Sequence, residues 1–196
     1  MAYLLGVKRH AHRLVVGYHG CDRAVAERVL LDGVELTKSA NEFDWLGEGI
    51  YFWEHSELRA WEFAAWKQAR GEIERPAVLG AYISLGRCFD LTDREATTRL
   101  ARIYDEYKVE MEAVSRPLGE NRSGRGGSED LLLRDLDCAV LNFGMTNLDR
   151  SEGSGGRRYQ TVRGVFVEGP PAYPGAAIRS KTHIQIAVRD PACILG

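Results

Sequence analysis

Apolar positions fall along this chain in short runs broken by glycine, and the period changes from run to run. Val15–His19 is an apolar stretch ending at Gly20, which predicts a strand. Asp22 stands where a helix N-cap is expected, the helix runs to about Leu31, and Gly33 is its stop. Residues 37–47 are polar and turn-rich, and Gly49–Trp53 reads as a short buried strand. Ser56 is the N-cap candidate for a helix to about Ala69, with Leu58, Trp61 and Ala65 on one face. β-branched and aromatic content marks Ala77–Ile83 as a strand, and Arg87–Leu91 continues extended after Gly86.

Helical spacing dominates the next third. Thr92-Asp93-Arg94-Glu95 reads as a capping box, opening a long helix in which Leu100, Ile103, Tyr107, Met111 and Val114 form a core-facing stripe. Residues 119–129 predict a flexible linker, and a second helix follows from about Asp130 to Leu141. Residues 151–158 predict a mobile loop. Strands at Val162–Val167 and Thr182–Val188 flank a Pro/Gly-rich stretch at 169–175. No repeat or second domain is evident. The expectation is a single α+β domain over 1–196, with a helical insert and flexible loops at about 92–160. Neither the regular βαβ alternation of a dinucleotide-binding sheet nor its GxGxxG turn is present.

Composition narrows the partners only a little. The 196 residues carry 44% hydrophobic and 28% charged side chains, enough for one ordinary core. A net charge of −2 recruits no polyanion globally, and the one basic patch, Lys8 to Arg13, reads as a solvated segment. Nucleic-acid partners are neither implied nor excluded. Cys21, Cys88, Cys138 and Cys193 lie far apart with no metal-ligand spacing, so free thiols and no metal are expected. The apolar run near the N-terminus is too short for a secretory signal and none reaches about 18 residues, so a cytoplasmic protein without membrane contact is expected. An exported toxin would share these traits.

Three segments offer chemistry. In Gly17-Tyr18-His19-Gly20-Cys21 a strand ends in histidine beside a glycine, where a ligand can approach the backbone closely, although a structural turn is written the same way. Asp44 to Trp53 frames an aromatic-rich strand with glycines, which builds either a slot for a flat ring or plain core. In His183–Val188, strict alternation puts His183, Gln185 and Ala187 on one face, leaving Gln185 either exposed or projecting into a cleft.

Together these segments resemble the diphtheria-toxin-like ADP-ribosyltransferases, the His-Tyr-Glu branch that includes poly(ADP-ribose) polymerase catalytic domains. Tyr18-His19-Gly20 matches the first motif, with Cys21 where Ser or Thr is usual, and Gly47-Glu48-Gly49-Ile50-Tyr51-Phe52 matches the second without a gap. The resemblance covers residues 14–91 well and the last strand loosely. It implies an α+β fold of two packed small antiparallel sheets forming an NAD cleft, flanked by helices.

It also implies NAD+ as co-substrate and transfer of ADP-ribose, with release of nicotinamide, to a protein or nucleic-acid acceptor. His19 would bond ribose hydroxyls, Gly20 backbone groups would clamp the carboxamide, and Tyr51 would stack on the nicotinamide. Trp61 or Phe63 would supply a second stacking ring. The third position carries Gln185 where the family has Glu. A carboxylate supports the developing charge at the sugar and can take a proton; an amide does neither. Three outcomes follow: Gln185 suffices for mono-ADP-ribosylation, Glu168 supplies the carboxylate from a neighbouring strand, or the domain binds NAD+ or ADP-ribose without turnover. The NAD-dependent RNA 2′-phosphotransferases share the fold and form a further alternative. A small toxin-like effector would also have an antitoxin-like inhibitor as partner.

Overall fold

The computed structural model describes residues 13–124, 130–152 and 158–196; Lys8 to His12 of the basic patch lie outside them, as do residues 125–129 and 153–157 of the two loops expected at 119–129 and 151–158. Among the described residues the elements run β1 (Leu14–Asp22), α1 (Arg23–Asp32), β2 (Ile50–Glu54), α2 (Glu57–Ala69), β3 (Pro76–Ser84), β4 (Cys88–Asp90), α3 (Arg94–Ala113), β5 (Asn121–Arg122), β6 (Leu133–Arg134), α4 (Asp135–Glu152), β7 (Thr161–Phe166) and β8 (His183–Val188). The fold is mixed α+β. β5 and β6 pair only with each other, and the remaining strands form one sheet in the order β3-β1-β2-β8-β7-β4.

Two small antiparallel sheets were expected. Instead a single six-stranded sheet is nearly divided in two, and its β4–β7 pair is parallel. β1 matches β3 along its whole length, from Leu14↔Ser84 to Asp22↔Pro76. Against β2 it matches only Gly17↔Glu54 and Tyr18↔Trp53, and beyond Tyr18 the two strands hold no common register.

The two halves carry separate cores. Over β1 and β3, α1 covers one face through Cys21, Ala26 and Leu79. α2 covers the other face so tightly that a Cβ on Gly20 would sit 2.2 Å from the Ala60 carbonyl oxygen. Over β2, β8, β7 and β4, the residues Trp45 and Leu46 join Ile103, Leu141 and Met145 of the helical insert against Val162, Phe166 and Ala187. On the opposite face Phe52, Ile50, Ile83 and Ile186 bridge the halves. There Arg163 forms a bidentate pair with Glu54 and reaches Asp90, all nearly buried.

Local signals explain both ends of α1, whereas Ser56 precedes α2 without a side-chain capping bond. Asp22 caps α1 by accepting from Ala24 N at 2.8 Å, and Gly33 stops it at φ 67°, which only glycine adopts without strain. The expected cap at Thr92 moves to Asp93, which accepts from Glu95 N at 2.8 Å, because the Thr92 backbone N–H and hydroxyl both donate to Asp90. The stripe on α3 is buried at Ile103, but Val114 closes the helix as its C-cap and is 51% exposed. The second insert helix starts at Asp135 rather than Asp130 and continues to Glu152. Asp130 instead accepts from Gly169 N and pairs with Arg179, tying the insert to the segment after β7. Where the linker was expected, Asn121 and Arg122 pair with Arg134 and Leu133. No helix among the described residues is long and apolar enough to cross a membrane.

Candidate active site

Where the β1–β2 ladder ends, backbone groups of β1 face β2 without a register partner. Alternation along β1 is fixed by the bonds Leu85 N to Arg13 O (2.8 Å) and Arg23 N to Arg75 O (2.7 Å), so odd-numbered residues face β3. Even-numbered residues therefore turn their N–H and C=O groups toward β2, as Val16 does in accepting from His55 N at 2.9 Å. Gly20 is even-numbered and has no register partner in β2. The Tyr51 carbonyl, which a continued ladder would set against Gly20, accepts from His19 Nδ1 at 2.8 Å instead. A side chain thus stands in for the missing ladder bond, and the strands part beside it.

That bond also sets the state of His19. With Nδ1–H donating, Nε2 carries a lone pair, and it has no hydrogen-bond partner among the described residues. Burial pushes the imidazole below its ordinary pKa, so the ring is neutral at physiological pH. Its side chain leaves β1 on the side of Phe52, at 5.6 Å between ring centroids, opposite to the face that Tyr51 shares with Gln185. His19 and Tyr51 therefore meet at the gap between strands, not on one surface.

Tyr51 is half-buried, and its hydroxyl is committed. It donates to Gly47 O at 2.8 Å and accepts from Leu46 N at 3.0 Å, which moors the turn before β2 to the strand itself. Burial, with Asp44 nearby, raises the phenol well above its usual pKa, so it stays protonated. Gly47 takes φ 79° in this turn, and its neighbour Glu48 N donates to Asn142 of α4.

Gln185 lies opposite Trp53 on β2 and Gly164 on β7, on the same face as Tyr51 and about 7–8 Å from it diagonally. It is 9% exposed, and its Oε1 accepts from Trp45 Nε1 at 2.5 Å. Gly164 makes room for that indole, since a Cβ there would lie 2.6 Å from the ring, and Arg134 lies over the rings of both Trp45 and Phe166. Alternation left Gln185 either exposed or projecting into a cleft; it is not exposed, and its side chain is buried against Trp45.

Glu168 stands elsewhere. Its carbonyl oxygen accepts from Lys181 N, four residues before Gln185, which places it roughly 13 Å along the strand direction. Its carboxylate pairs with Arg59 of α2 at 2.5 Å, and Arg59 also pairs with Glu62. The structure does not bring Glu168 to His19, Tyr51 and Gln185. Phe63 and Trp61 also separate: Phe63 lies 5.0 Å from the Trp53 ring and stacks with Trp66, while Trp61 is 46% exposed and has no ring partner among the described residues. Gly20, singled out for close approach by a ligand, has a packing reason as well, because α2 fills the space its side chain would take.

Sequence reasoning did not single out Trp45, Arg59 or His183. Trp45 sits in the segment read as a ring slot, but only the fold reveals that it meets a residue 140 positions away. His183 shares a face with Gln185 by simple alternation. Its Nδ1 lies 2.7 Å from Lys181 O, so Nδ1–H donates there and Nε2 is left buried without a partner among the described residues, as is Trp53 Nε1. Burial lowers the His183 pKa to about 4. All four cysteines are free thiols, and burial raises Cys88, Cys138 and Cys193 to about 11, which leaves little thiolate. Among the described residues no cluster of His, Cys, Asp or Glu is placed to hold a metal ion.

No protein-family model and no solved structure matches the chain. A protein of Methanocaldococcus jannaschii, described only as uncharacterized, is 27% identical over 194 residues, covering 90% of this chain and 83% of the relative. The likeness runs along most of both chains and brings no activity with it.

Proposed function

We propose that this domain is an NAD-dependent mono-ADP-ribosyltransferase of the ADP-ribosyltransferase fold, with the nicotinamide seated where β1 and β2 part. One observation carries the reading: the N–H and C=O of Gly20 turn toward β2, which offers them no register partner, beside the bond from His19 to the Tyr51 carbonyl. A carboxamide is one donor and one acceptor side by side, the complement of that pair. The His19 Nε2 lone pair accepts from a ribose hydroxyl, the Tyr51 ring covers the nicotinamide face, and the Gln185 amide donates to a sugar oxygen. Phe63, beside Trp53, is the better placed of the two candidate second rings.

In this reading the bond between ribose C1′ and the nicotinamide nitrogen breaks, its electron pair leaving with neutral nicotinamide. A nucleophile on the acceptor bonds to C1′ and releases its proton to solvent. Gln185 neither takes that proton nor opposes the charge developing at the sugar, so the acceptor must be nucleophilic in its own right. The alternative of a non-catalytic NAD+ or ADP-ribose module is favoured by a separate observation, the engagement of Gln185 Oε1 by Trp45. Incubation with NAD+ labelled in the adenylate and with cell lysate tests the proposal. Label that becomes acid-precipitable, and is then released by protease or nuclease, supports transfer and names the acceptor class. Bound NAD+ with no label transferred favours the module.

A further inference from the structure

We infer that Trp45 is a positioning residue that fixes which end of the Gln185 amide meets the ligand, making this position a dedicated hydrogen-bond donor. The inference rests on the NAD+ reading above and deepens it.

An amide side chain offers an acceptor oxygen and a donor NH2 and can exchange them by a half-turn about its last bond. At Gln185 that freedom is removed. Trp45 Nε1 is only a donor, so the atom facing it must be an acceptor, and the flipped amide would set two donors against each other at 2.5 Å. The indole itself cannot retreat: Gly164 supplies the notch it fills, Phe166 meets it edge-on at 5.2 Å between centroids, and Arg134 lies over its face at 4.9 Å. The turn that carries Trp45 is held in turn by the Tyr51 hydroxyl, through Leu46 N and Gly47 O. One chain of contacts therefore links the ring proposed to cover the nicotinamide to the orientation of the amide beside it.

The chemical consequence is selective. Gln185 Nε2 is the end left to donate to a sugar oxygen, because one of the two lone pairs of Oε1 is held by the Trp45 N–H. The position thus favours a ligand that presents an acceptor oxygen there. Replacing the tryptophan with a ring lacking N–H should release the amide to sample both ends.

The test is a double-mutant cycle on NAD+ affinity, with thermal unfolding followed in parallel. Trp45→Phe should weaken NAD+ binding about tenfold, the scale of one oriented hydrogen bond. Gln185→Met, which keeps the side chain's length and removes the amide, should weaken it similarly. The double variant should be no weaker than Gln185→Met alone, because Trp45 has nothing left to orient. Its unfolding midpoint should also be no lower than that of Gln185→Met, in which the indole N–H is stranded in the core. Losses of affinity that simply add would show that Trp45 supports the fold without acting through the amide, and would overturn the inference while leaving the NAD+ reading standing. Failure of the wild-type protein to bind NAD+ would overturn both.

Discussion

Tyr51 has two separable jobs, and Tyr51→Phe removes one of them. The ring is retained, so the surface proposed to cover the nicotinamide is unchanged. The hydroxyl is lost, and with it the bonds to Gly47 O (2.8 Å) and Leu46 N (3.0 Å). Leu46 is fully buried and Gly47 is buried, so water does not replace the missing oxygen. Two stranded backbone groups at about 1–3 kcal/mol each put the loss of stability at about 3 kcal/mol. For a domain of this size that corresponds to a fall of about 6–12 °C in the melting midpoint. Thermal unfolding followed by circular dichroism measures it, with a urea titration as a second reading. The turn should also loosen around Trp45, so hydrogen exchange at residues 44–48 should quicken more than exchange in β1 or β3. A midpoint within 2 °C of wild type, with unchanged exchange in that turn, would refute the claim that the phenol moors it.

The remaining predictions concern the neighbours of that ring. Gly20→Ala should lower the melting midpoint clearly, by about 1–3 kcal/mol or more of overpacking, because its Cβ meets the Ala60 carbonyl at 2.2 Å; a stable variant that only loses NAD+ would show that the glycine serves the ligand alone. Gln185→Glu should raise NAD+ cleavage by one to two orders of magnitude if this position lies beside the reacting sugar, read as nicotinamide formation; no change in cleavage with unchanged NAD+ binding would place the reacting sugar away from it. His183 is neutral in the fold, with a pKa of about 4, but takes a proton near 6.5 when unfolded. The unfolded chain therefore binds the extra proton as pH falls through that window, and stability declines from pH 6.5 to 4 by up to about 3 kcal/mol. In His183→Phe this part of the pH dependence should vanish, whereas an unchanged stability–pH profile would contradict the assignment.

Much of this architecture was legible because its signals are local. The Asp22 cap, the Gly33 stop and the alternation of β8 each depend on a few adjacent residues, and each is found where the sequence places it. What could not be read depends on contacts between distant segments. Asp130 does not begin a helix because Gly169 and Arg179 draw it away, and Thr92 does not cap one because Asp90 takes its hydroxyl. The same holds at the candidate site. Alternation put Gln185 on a defined face but left its surroundings open, and the partner that fixes its amide comes from a turn 140 residues earlier. Glu168 was a reasonable substitute carboxylate on chain order alone; its pairing with Arg59 becomes visible only once α2 is laid against the end of β7. The parting of β1 from β2 was the least legible feature, since both strands keep strand-like sequences through the point where their register ends.

The most direct test of the central claim is nicotinamide release from NAD+ by the purified protein, with and without lysate, beside Tyr51→Ala. The account predicts release by the wild type that lysate stimulates, and its loss in Tyr51→Ala while the circular dichroism spectrum still reports the fold. Release that persists undiminished in a folded Tyr51→Ala protein would contradict the assignment of the site, and neither binding nor release by the wild type would contradict the account as a whole.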